Sequence, residues 1–215
     1  MKQRFFTTCL LAFLVCTPLR AEEAARLDPD TLLAEFARIP TATTRFDETR
    51  RHAGTQTATQ SRGILRYTAP DRLERETEYP QRELSIVNGN WLTLERTVDG
   101  KPVRRSLPLD QLPTLNTFFT ALRATLGGNR RALEDLFSIA LTGDFTAWNM
   151  TLKPRADAGS SGVKQIRLNG EAVSIRRIEV DEAGGDTVKT ILTPLDQPQQ
   201  APEPSASPGK PKPPG

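Results

Sequence analysis

The sequence predicts a mainly β protein of the α+β class: one long antiparallel sheet of about eleven strands, curled around a few helices. Three observations predict it. Short runs of alternating apolar and polar residues recur between turn residues. Helical period appears only near the start and in the middle. Strands and helices do not alternate in the way a parallel sheet needs. A long sheet with one apolar face can bury it only by curling.

The first 21 residues read as a cleaved secretory signal peptide. Lys2 and Arg4 give the basic start, and Phe5 to Val15 is apolar but shorter than the ~20 residues of a membrane span. Pro18 breaks the run. Ala21 is the last residue before the cut, with Ala24 or Ala25 as alternatives. Cys9 and Cys16 leave with the signal. Val15 stands where a lipid-attachment site wants a small residue, which argues against a lipidated Cys16. Export places the mature protein in the periplasm.

At the other end, residues 196–215 are Pro, Gln, Ser and Lys with almost nothing to bury, which reads as a disordered Pro-rich tail. Residues 22–195 form one domain.

The domain opens with a helix. Asp28 is its N-cap and Pro29 occupies the first turn, where a missing N–H costs nothing. Leu32, Leu33, Phe36 and Ala37 share a face, and Pro40 ends the run. After a first strand near residues 44–51 come hairpin segments at 62–69, 71–79, 83–87, 91–96 and 103–107. Asn88-Gly89 predicts a type I′ turn, and Asp99-Gly100 turns the chain again. Leu84 and Ile86 share one strand face; Leu92 and Leu94 share another.

The period then lengthens. Leu112, Leu115, Phe118, Phe119, Leu122 and Leu126 carry helical spacing, Gly127-Gly128 stops it, and Asn129 caps a short helix bearing Leu133 and Leu136. Strands return at 137–142, 145–153, 163–168, 173–180 and 187–192, separated by Gly143-Asp144, a Gly/Ser loop at 159–162, Asn169-Gly170 and Gly184-Gly185. The apolar phase slips between Ile175 and Ile178, predicting a bulge at Arg176-Arg177.

Composition excludes several classes of function. Removing Lys2, Arg4 and Arg20 with the signal takes the net charge from +3 to 0, so no basic patch argues for nucleic acid. The single histidine, His52, sits in a polar stretch. No Gly-x-Ser-x-Gly elbow, phosphate loop or metal-ligand spacing is present. Glu74, Glu76 and Glu78 alternate as a wet strand face does. The reading is a non-enzyme with no catalytic residue, metal or cofactor. The large apolar residues are the informative ones, and periodicity alone leaves open whether they fill a core or line a cavity.

The order of segments resembles the LolA family of periplasmic lipoprotein carriers, and its divergent LolA-like branch most closely. The resemblance runs from about Leu27 to Thr193. It rests on RFDETR with Phe46, then Gly63, Leu65, Tyr67 and Pro70 followed by DRLERE, then LSIVNGNWLTLE. Trp148, Leu152 and Pro154 of LTGDFTAWNMTLKPR and the closing strands complete it. The resemblance implies an unclosed, strongly curved antiparallel β-barrel with an N-terminal helix, a helical lid and an apolar interior for acyl chains. The ligand-binding residues it implies are Phe46, Leu65, Tyr67, Leu73, Leu84, Ile86, Trp91, Phe118, Phe119, Leu122, Phe137, Trp148, Met150 and Leu152. The implied partners are a lipid or lipidated cargo, an inner-membrane donor and an outer-membrane acceptor, with the carrier a monomer. A lipid-responsive sensor on the same fold is the alternative. The family's arginine before the proline of the early strand pair is Ala69 here, and Arg66 and Arg72 are its nearest substitutes. That departure favours a lipid-tailed product over a triacylated lipoprotein as cargo.

Overall fold

Each predicted hairpin pairs with the next, and the two ends of the series meet. The computed structural model describes residues 27–55, 57–156 and 162–195; the signal peptide and the tail lie outside the described residues. Helix α1 (Pro29–Phe36) precedes six strands: β1 (Thr41–Arg51), β2 (Ala58–Thr68), β3 (Arg72–Tyr79), β4 (Glu83–Asn88), β5 (Trp91–Val98) and β6 (Lys101–Pro108). A short 3-10 turn, α2 (Pro113–Leu126) and α3 (Arg130–Leu136) follow. Then come β7 (Phe137–Asp144), β8 (Ala147–Pro154), β9 (Val163–Glu171), β10 (Ser174–Glu182) and β11 (Thr187–Pro194).

All eleven strands form one antiparallel sheet in the order β6-β5-β4-β3-β2-β1-β11-β10-β9-β8-β7. The pairing of β1 with β11 joins the halves, and β6 and β7 are left as unpaired edges. The chain crosses from one edge to the other through α2 and α3. This is the unclosed, curved architecture that the resemblance implies.

Local signals place the helices. The Asp28 carboxylate accepts the Thr31 N–H at 3.0 Å, and the Asn129 amide oxygen accepts that of Ala132 at 3.0 Å. The predicted bulge is present, with the β9–β10 register shifting between Ile175 and Arg177.

Two turns differ from expectation. The β4–β5 turn centres on Gly89 and Asn90, not Asn88-Gly89, because Asn88 pairs with Trp91. Only Gly89 there has positive φ, whereas Asp99 and Gly100 both do, as a type I′ turn requires. Asn169-Gly170 is not a turn either: β9 continues to Glu171, and the chain reverses at Ala172. Gly170 is there because Trp148 lies over it. A Cβ at that position would come within 2.3 Å of the indole ring.

Candidate functional site

Directly paired residues share a face of a sheet, so the register assigns every strand's inner side. One inner row runs Ala42, Tyr67, Leu73, Val87, Leu92, Leu107 across six strands. On the other half, Ile178, Leu168, Met150 and Leu141 form a row, and Val180, Ile166, Leu152 and Ile139 form the next. Phe46 faces Leu192 where the halves join. All of these side chains except Leu107 belong to one continuous apolar cluster.

The two halves of this inner face are covered differently. Helix α1 seals the β7–β11 side. Leu32, Leu33 and Phe36 are fully buried, and the Phe36 ring meets Trp148 edge-on at 5.8 Å. The Trp148 indole N–H donates to the Ala172 carbonyl at 2.9 Å, so its polar atom is satisfied inside the core.

Helix α2 covers the interior more loosely, its first turn beside the start of β9 and its last turns beside the β2–β3 and β4–β5 turns. Its C-terminal half buries Ala121, Leu122, Ala124 and Thr125. No residue of its N-terminal half is fully buried. Phe118 and Phe119, 5.3 Å apart, are half-buried against the cluster, and Leu115 is exposed. The guanidinium of Arg123 ties this helix to the sheet by donating to the Gly89 carbonyl in the β4–β5 turn.

Of the residues the sequence points to, Phe46, Tyr67, Leu73, Leu122, Phe137, Trp148, Met150 and Leu152 are buried in the interior. Leu65, Phe118 and Phe119 are half-buried against it. Leu84, Ile86 and Trp91 are corrections. Leu84 pairs with Glu76 and Glu95, and Ile86 with Glu74 and Thr93, all on the outer face. Trp91 is 55% exposed. The inner row explains this: Val87 pairs with both Leu73 and Leu92, so the alternate positions Leu84 and Ile86 face outward, on the side of Trp91.

The interior is packed at its centre, where Phe46, Trp148, Met150 and Leu152 are fully buried. The two best-formed hollows among the described residues are open grooves of about 570 and 420 Å³. The first wraps one end of the sheet, taking in Glu76, Leu84, Glu95 and Arg104 on the outer face and Thr77, Glu83, Arg96 and Val103 on the inner. The second is lined by Asn149, Asn169, Arg177, Ile191 and Leu192.

A half-buried ion pair that the sequence pattern does not single out lies next to the apolar inner rows. Arg75 grips Glu48 through both terminal nitrogens, at 2.7 and 3.1 Å, and donates to Ser61 at 2.8 Å. Its guanidinium stacks on Phe46 at 4.2 Å. Burial pushes the Glu48 carboxyl up, but Arg75, the Thr190 hydroxyl and the charge of Arg50 outweigh it and hold the group below the usual carboxylate range. The signal was legible: with Glu74, Glu76 and Glu78 wet, Leu73, Arg75 and Thr77 must be the inward set. Arg66 and Arg72 face outward, paired with Glu76 at 3.0 Å and Glu74 at 2.6 Å.

His52 has a structural job. Its Nδ1 lies 2.9 Å from Asp186, whose other oxygen accepts the Ala53 N–H at 2.9 Å. That contact joins the end of β1 to the β10–β11 turn. No group of three His, Cys, Asp or Glu side chains among the described residues gathers in metal-binding geometry.

A family model described as outer membrane lipoprotein carrier protein LolA-like matches residues 21–204. The chain belongs to this LolA-like family. Among solved structures, it is similar to a LolA superfamily protein from Nitrosomonas europaea at 9% identity, covering 78% of this chain and 92% of that one, TM-score 0.42. It is similar to a putative outer membrane lipoprotein-sorting protein domain from Vibrio parahaemolyticus at 9% identity, covering 80% and 96%, TM-score 0.30. It is also similar to the Pseudomonas aeruginosa MucA/MucB complex structure at 10% identity, covering 77% and 56%, TM-score 0.38. No curated protein matches the chain. The LolA-like match supports a carrier or binding role.

Proposed function

We propose that this LolA-like protein is a periplasmic carrier. It takes the acyl chains of a lipid, a lipidated product or a lipoprotein between its curved sheet and α2, and passes the cargo toward the outer membrane. The observation that carries the reading is the unequal cover. The apolar inner rows continue beneath a helix whose first half has no fully buried residue. Cargo enters by replacing Phe118, Phe119 and Leu122 on the inner face, while α1 stays in place. No covalent step is needed.

The test is lipid recovery. Protein purified without detergent from its native periplasm, analysed by native mass spectrometry, is expected to carry added acyl mass that extraction identifies. Protein that emerges clean, and that also fails to bind hydrophobic fluorophores, refutes the proposal.

A further inference from the structure

We infer that the cargo has an anionic head, received by Arg96 and Arg105. This inference rests on the acyl-binding reading and names the chemistry of the ligand's polar end.

The observation is a difference between the two faces of one hairpin. On the outer face Arg104 has a carboxylate partner, Glu95, at 3.3 Å. On the inner face, Arg96 pairs across the strands with Glu83 and Val103, and Arg105 with Leu94. Neither arginine forms an ion pair with a described residue, and Glu83 instead accepts the Ser85 hydroxyl at 3.4 Å. Both are exposed. They are diagonal neighbours on the same face, close enough for long side chains to meet. Glu83, opposite Arg96, offsets one of the two charges; Arg105 faces only Leu94, and a ligand anion between the arginines relieves the repulsion that remains.

Their surroundings suit an amphiphile. Along β5 the inner positions run Leu92, Leu94, Arg96; along β6 they run Leu107, Arg105, Val103, Lys101. Apolar residues lie toward the α2 cover and cations toward the far end. An acyl chain against Leu92, Leu94 and Leu107 therefore brings its head to the arginines. Inward charges also protect edge strands from pairing with other chains. That accounts for Arg105 and Lys101 on edge strand β6, but not for Arg96, because β5 is hydrogen-bonded on both sides.

The experiment uses displacement of a bound hydrophobic fluorophore from the full mature chain. The competitors share one acyl chain: lysophosphatidic acid, the free fatty acid, lysophosphatidylcholine and monoacylglycerol. Wild type is expected to prefer the anionic ligands over monoacylglycerol by about tenfold at low salt, and less at high salt. The stronger of the two anionic arms identifies phosphate or carboxylate as the head. The double variant Arg96→Gln, Arg105→Gln is expected to lose the preference while binding monoacylglycerol as before. Arg104→Gln, on the outer face, is expected to keep it. Equal binding of anionic and neutral ligands by wild type overturns the inference and leaves the acyl reading standing. So does a preference that survives the double variant, or one that Arg104→Gln abolishes equally. If no amphiphile displaces the probe, the acyl reading fails and takes this inference with it.

Discussion

Loosening α2 should weaken the protein and strengthen its grip on cargo. The perturbation is Arg123→Gln. The Arg123 guanidinium donates to the Gly89 carbonyl on the sheet and to the Phe119 carbonyl, at 3.3 Å, in its own helix. A hydrogen bond to a charged group is worth ~1.5–3 kcal/mol. Arg123 is only half-buried, so water competes and about 1 kcal/mol is a fair expectation for this tie. Glutamine is too short to span to Gly89. For a domain of this size, 1 kcal/mol lowers Tm by ~2–4 °C. The same 1 kcal/mol is lost from the closed state against which cargo competes. The open fraction then rises about fivefold, and apparent affinity rises with it. Differential scanning fluorimetry and a fluorophore titration read the two effects separately. A fall in Tm with unchanged or weaker binding would refute the idea that α2 is the cover cargo displaces.

The remaining expectations concern the sheet. Gly170→Ala places a Cβ 2.3 Å from the Trp148 ring and 2.2 Å from the Ser174 carbonyl oxygen. Overpacking of this kind costs ~1–3 kcal/mol or more, visible as a lower urea midpoint; an unchanged midpoint would show that the indole does not lie there. Trp91→Ser should leave both stability and ligand binding within about 0.5 kcal/mol of wild type, because the ring is outside the interior. Glu48→Gln leaves Arg75 without its charge partner. With 29% of the Arg75 side chain exposed, the cost should be about 2 kcal/mol, below the ~3–5 of a fully buried pair. Acid should have the same effect on the wild type. The folded-state Glu48 carboxyl is held below its unfolded value, so its stabilisation is complete above the unfolded value of ~4.3 and is lost as pH falls through the folded one. A Glu48→Gln variant whose stability drops as steeply below that pH as the wild type's would contradict this.

Strand number, helix positions, the bulge and the apolar rows of β8 were legible because each rests on local pattern. Trp148, Met150 and Leu152 alternate with polar residues, and no turn choice alters which way they point. The errors arose where two local rules competed. Asn88-Gly89 satisfies the turn rule, yet a turn there would pair Val87 with Asn90 and Leu92 with Ser85. Moving it by one residue pairs Val87 with Leu92, both buried at 1% and 4% exposure, and apolar pairing outweighs turn preference. Asn169-Gly170 has the same character: the glycine serves the indole of a neighbouring strand, which no local pattern reports. The filled interior was not legible at all, because periodicity says which side chains point inward and nothing about whether they meet. Arg75 was overlooked because a charge on an inner face breaks the alternation rule, even though its neighbours Leu73 and Thr77 fixed its direction.

The division of the interior into a tight and a loose half bears on how a carrier can let go. A chain of ~15 methylenes buried at ~0.8 kcal/mol each gains on the order of 12 kcal/mol. Displacing Phe118, Phe119 and Leu122 from the inner face gives back ~1.5–3 kcal/mol for each fully buried side chain, and less for the two half-buried rings. Ordering the cargo removes several kcal/mol more. The remainder is a moderate affinity, which permits hand-over to a stronger binder. If α1 were the displaced element, Leu32, Leu33 and Phe36 would leave the core together with the Trp148 contact, and the β7–β11 half would lose the packing that holds it. Cargo exchange beneath α2 leaves the α1 contacts intact as a scaffold. A cover made of half-buried aromatics is therefore the arrangement expected where binding must be reversible, and a helix sealed at 0–1% exposure is expected where the fold must persist through every cycle of loading and release.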